Sequence, residues 1–90
     1  MIEESGNRYD SFREKLDQQY DWPSLYTFKF IVPQGSEMQV KELFPGTEVT
    51  EKKSRKGNYI SLTARLMAES SDAIIEVYLK AHHIKGLIAL

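Results

Sequence analysis

Two stretches of this chain alternate apolar and polar side chains residue by residue, and they restrict its fold more than any other feature. From Leu25 to Val32, Tyr26, Phe28, Phe30 and Val32 fall on one side and Thr27, Lys29 and Ile31 on the other. From Tyr59 to Ala68, Ile60, Leu62, Ala64, Leu66 and Ala68 oppose Tyr59, Ser61, Thr63, Arg65 and Met67. Period two is the mark of a strand with one buried face. Both strands must therefore share a sheet whose apolar side is covered by something else, and the intervening residues supply the cover. After Pro33-Gln34-Gly35, Ser36 can cap a helix with Gln39 at the reciprocal position, and Val40, Leu43 and Phe44 form its buried stripe before Pro45-Gly46. After the second alternation, Ser70-Ser71-Asp72 offers capping side chains to a helix carrying Ile74, Ile75, Val77, Tyr78, Ala81 and Ile84, which Gly86 ends.

Thr47 to Lys53 reads as a weaker, polar strand joined by a hairpin through residues 54–58 to the long one, and Leu87 to Leu90 as a short last strand. The order strand, helix, strand, strand, helix, strand predicts an α+β, ferredoxin-like βαββαβ domain over residues 24–90. Its four-stranded antiparallel sheet takes the order 4-1-3-2, with both helices on one face. Ninety residues with 41% hydrophobic content suit one such core. Residues 1–23 form an acidic leader, six acids against three bases, leaving it at −3 and the remainder at +2. Ser11 and Glu14 have capping-box spacing there, and Tyr9, Phe12, Leu16 and Tyr20 make a narrow apolar stripe that Trp22-Pro23 terminates. So short a helix holds in water only by docking on the domain.

Composition removes several function classes. Without cysteine there is no disulfide, thiolate nucleophile or cysteine-bound metal. No apolar run approaches the roughly 20 residues that span a bilayer, and Met1 to Ser5 lacks the layout of a secretory signal, so a soluble cytoplasmic protein without a membrane partner is expected. His82 and His83 point about 100° apart on a helix and suit its negative end better than a metal. Acids such as Asp10, Glu14 and Glu76, the last spaced to pair with Lys80, lie on solvated faces, and Ser61 and Thr63 have no histidine in pattern. These absences predict no catalytic residues, no cofactor and no metal: a non-enzyme.

Several spaced segments carry a family resemblance: Tyr26-Thr27-Phe28-Lys29-Phe30-Ile31-Val32-Pro33, Leu43-Phe44-Pro45, Ser54 to Ala64, and Ile84-Lys85-Gly86-Leu87-Ile88-Ala89-Leu90. Over about residues 22–90 the chain resembles the YbeD-like family of uncharacterised small bacterial proteins, whose fold is similar to ACT-type regulatory domains. The resemblance implies a ferredoxin-like fold and a regulatory role exerted on another protein.

Three candidate surfaces follow. The turn Gln34, Gly35 and Ser36 precedes a helix, where free N–H groups favour a small anionic ligand, and the ACT-like resemblance implies a ligand near that turn. Lys52, Lys53, Arg55 and Lys56, with Tyr59 following, concentrate positive charge at the hairpin, which suits phosphate and gives an alternative function as a low-specificity binder of RNA or single-stranded nucleic acid. An acidic leader folded across the sheet would compete with that binding. Finally, Leu87, Ile88, Ala89 and Leu90 form an apolar edge without a guarding charge, which invites either cover by the leader or pairing in a homodimer. The function these surfaces fit best is regulation or interaction with another protein, gated by a small anion at the turn.

Overall fold

A computed structural model describes residues 4–90, with side-chain surroundings from Tyr9 onward; Met1 to Glu3, and with them part of the leader and of the segment read above as lacking a secretory signal, lie outside the described residues. The elements are α1 (Glu4–Gln19), β1 (Ser24–Pro33), α2 (Glu37–Lys41), β2 (Val49–Lys53), β3 (Tyr59–Ala68), α3 (Ser71–Ala81) and β4 (Ile88–Ala89). Their strands form one antiparallel sheet in the order β2-β3-β1-β4, which read from the β4 edge is 4-1-3-2. The two long alternating segments are the central pair, matched from Ser24↔Ala68 to Pro33↔Tyr59.

That register sets which side chains share a face. Phe28, Phe30 and Val32 oppose Ala64, Leu62 and Ile60, and all six are buried. They meet Val40 and Phe44 from the α2 segment and Ile74, Ile75 and Ala81 from α3, so both helices contribute to the same core. Tyr26 and Tyr78 close one side of it, their hydroxyls 3.1 Å apart. The opposite face of the sheet carries Leu25, Thr27, Lys29 and Ile31 beside Tyr59, Ser61, Thr63, Arg65 and Met67, without a covering layer among the described residues.

Of four local expectations, three are corrected and one holds. Helix α1 starts at Glu4, so Ser11 lies inside the helix and caps nothing. Ser36 precedes α2 at φ −102°, ψ 7°, away from the extended backbone a capping serine uses, and its side chain makes no capping hydrogen bond. Ser70 does adopt that backbone, at φ −166°, ψ 167°, and its hydroxyl accepts the Ala73 N–H at 3.2 Å. The Glu76–Lys80 pair is absent; among the described residues the ion pairs are Arg13 with Asp10 and Asp72, and Lys41 with Glu51. Exposed pairs at that spacing are worth only about 0.3–0.5 kcal/mol, too little to hold two long side chains together.

The leader docks, but on the helix layer. Leu16 is 3% exposed, Phe12 meets Tyr78 edge-on at 5.6 Å, and Arg13 Nε donates to Asp72 at 2.8 Å. It therefore does not lie across the open face, and it leaves Ile88 and Leu90 at the β4 edge 52% and 66% exposed. Among the described residues no helix is long and apolar enough to cross a membrane.

Candidate functional site

One row of side chains crosses the open face through all four strands. Lys52 of β2 is paired with Ser61 of β3, Ser61 with Ile31 of β1, and Ile31 with Ile88 of β4. Ser61 is the small member, flanked by longer side chains, and a hollow of about 520 Å³ opens around it. Its lining combines Ile31, Ile88 and Tyr59 with Lys52, Lys53 and Arg55. An apolar floor thus borders a cationic wall. Among the described residues no acid lines it; Glu51 faces the other side of the sheet, where Lys41 takes its carboxylate.

The hairpin that carries the wall is fixed by its own hydrogen bonds. Ser54 N–H donates to the Tyr59 carbonyl at 2.8 Å, Tyr59 N–H donates to Ser54 Oγ at 3.2 Å, and Gly57 closes the turn at φ +76°. Tyr59 stands at the start of β3 with 49% of its surface exposed. Lys56 lies at the hairpin tip and is not part of the hollow's lining.

The Gln34–Ser36 turn abuts this hairpin, the Gln34 N–H donating to the Asn58 carbonyl at 2.9 Å. It is not an open anion cradle. Ser36 N–H is used by the Pro33 carbonyl, and Gly35 N–H donates to Glu37 Oε1. Hydrogen bonds from the Glu37 and Gly35 backbone N–H groups hold the Glu37 carboxyl below its ordinary range, with Lys41 and Lys53 adding to the effect. The turn supplies its own carboxylate where a ligand's was expected.

The four residues of the terminal edge separate. Ile88 joins the open-face row, while Leu87 turns to a second hollow of about 310 Å³ between α1 and α3, lined also by Tyr9, Phe12, Tyr78 and His82. Leu90 N–H donates to the Lys29 carbonyl at 2.9 Å, so by antiparallel alternation the backbone of Ala89 faces outward. Burial and the bond to Tyr26 raise the pKa of Tyr78, which keeps its hydroxyl neutral. Among the described residues no three His, Asp or Glu side chains gather as a metal site would need. Ile31 and Ser61 belong to none of the three surfaces that the sequence suggested. Their mark was visible, an isoleucine on the polar side of one alternation and a serine facing it, but only the strand register joins them.

Residues 17–89 match a family described as Protein of unknown function (DUF493), and the chain belongs to that family. This is the YbeD-like family that the sequence segments resembled. No curated protein and no solved structure matches the chain.

Proposed function

We propose that this protein is a non-catalytic regulatory or interaction domain of ferredoxin-like, ACT-like architecture that binds another protein through the open face of its sheet. The observation that carries this reading is the hollow around Ser61, where an apolar floor and a cationic wall meet on an uncovered face. Apolar surface rimmed by charge is characteristic of recognition sites, whereas catalysis needs converging acid, base or nucleophile groups. Gating by a small anion at Gln34, Gly35 and Ser36 draws less support, since Glu37 already accepts the Gly35 N–H.

A photoreactive residue placed at Thr63 on the open face, or at Glu76 on α3, tests this in the native cytoplasm. Covalent protein adducts are expected from the Thr63 position and not from Glu76. Adducts from Glu76 alone, or from neither, would overturn the reading. A second reading, binding of single-stranded nucleic acid, draws on the exposed Tyr59 beside Lys52, Lys53, Arg55 and Lys56. Salt-dependent retention of the protein on oligothymidylate, lost on joint Lys52→Glu and Arg55→Glu substitution, would favour it.

A further inference from the structure

We infer that the hollow receives an acidic, aliphatic segment of the partner protein: one branched side chain over Ser61, between Ile31, Ile88 and Tyr59, with carboxylates nearby in that segment meeting Lys52, Lys53 and Arg55. This rests on the interaction reading above and names the partner's chemistry. Three observations select it. The first is charge complementarity: three cations line the hollow without an acid, and none of them forms an ion pair with another described residue. The second is the floor, which is aliphatic. Single-stranded nucleic acid is held by successive bases stacked on aromatic rings, and Tyr59 is the single aromatic in the lining. Ile31 and Ile88 instead offer branched aliphatic surface to a Leu, Ile or Val. The third is size, since about 520 Å³ lies within the roughly 300–1,000 Å³ of ligand pockets and exceeds what one side chain fills.

The sheet also sets a spacing. Ile31 and Lys52 lie two strands apart in one row, about 10 Å at the usual strand separation of about 4.8 Å. An extended segment advances about 3.3 Å per residue, so a carboxylate about two or three residues from the aliphatic anchor reaches the cationic wall. Ser61 becomes the residue that sets specificity, because any larger side chain there fills the seat while the backbone pairing on both sides continues.

The test uses the full chain and fluorescent octapeptides measured by polarisation. The probe Gly-Ser-Leu-Gly-Glu-Glu-Ser-Gly is compared with versions carrying Lys for both Glu, or Ala for Leu, and with oligothymidylate. The acidic leucine probe should bind at least tenfold more tightly than each of the others. Ser61→Leu should weaken it at least tenfold while Glu76→Leu, exposed on α3 and away from the open face, leaves it unchanged. Joint Lys52→Glu and Arg55→Glu should also abolish it, and this exposed pair decides the matter should Ser61→Leu alter the circular dichroism spectrum. Equal binding of acidic and basic probes, indifference to Ser61→Leu in a folded protein, preference for oligothymidylate, or no binding at millimolar probe would each overturn the inference. If the probe fails while Thr63 still yields protein adducts, the interaction reading stands and only the acidic, aliphatic partner is lost; if both fail, both fall.

Discussion

Phe28 has ring neighbours on several sides: Tyr26 at 4.9 Å, Phe44 at 5.2 Å, Tyr78 at 5.3 Å and Phe30 at 6.1 Å. With 1% of its surface exposed, Phe28→Ala should cost about 3–5 kcal/mol, read as a lower denaturant midpoint at unchanged slope. Two glycines separate backbone preference from crowding. Gly57 at φ +76° has open space around it, so Gly57→Ala should cost only the left-handed penalty of about 1–2 kcal/mol. Gly86 at φ +80° would place a Cβ 2.8 Å from Pro33 Cγ, so Gly86→Ala should cost more in the same melt. Titration gives a further residue-scale prediction. The Tyr78 pKa is raised in the folded chain, so its contribution to stability is complete below the ordinary tyrosine range and is lost as pH rises from there through the raised value. Tyr78→Phe should therefore flatten the alkaline fall in melting temperature, whatever it does at neutral pH. Glu37 runs the other way: its lowered pKa supports the turn above the ordinary carboxylate range, and that support fades as pH falls through the depressed value.

At the scale of elements, alternation and capping chemistry located β1, β3 and the start of α3 to within a residue or two, because burial on one face and a serine in extended backbone are local facts. Helix α3 ends at Ala81, short of the Ile84 and Gly86 that the sequence suggested, and the chain continues in turns. The boundaries of α1 and α2 were less legible. Five residues suffice for α2 since Val40 and Phe44 anchor its segment in the core, and α1 extends past its apolar stripe because its docking on α3 supports the turn before it. The side on which the leader docks was not legible at all, since the α3 partners of Phe12 and Arg13, Tyr78 and Asp72, lie far along the chain. Its attachment depends on Leu16 more than on Arg13, whose ion pairs are partly exposed to water. Leu16→Ala should therefore speed amide exchange throughout α1 while leaving β1 and β3 protected, whereas Arg13→Ala changes exchange little. Loss of protection in the sheet after Leu16→Ala would show that leader and domain unfold as one unit. For the candidate site, the cations and Tyr59 were legible in sequence, but the hollow was not. A depression arises from a small residue among large ones across several strands, and register is information that no single segment holds.

For the whole molecule, the β4 edge that suggested self-association has only two residues in the strand, and Ala89 is the one whose backbone faces outward. Very short edge strands are one of the ways proteins blunt edge pairing. Sedimentation at micromolar concentration should therefore give the mass of one chain. A dimer that dissociates on Ile88→Lys would instead show that the apolar edge is used. The sheet order has a temporal side as well. The β2–β3 hairpin closes locally, within the microseconds typical of such units. The central β1–β3 pairing must first bring together strands separated by residues 34–58, and β4 reaches β1 only after residues 32–87 have been gathered in. Distant pairings cost chain entropy before contacts repay it. The long β1–β3 pairing, which forms the centre of the sheet, is expected to limit the folding rate, so substitutions such as Phe30→Ala should slow refolding. If α1 docks only once the sheet exists, Leu16→Ala should leave the refolding rate unchanged and raise the unfolding rate alone.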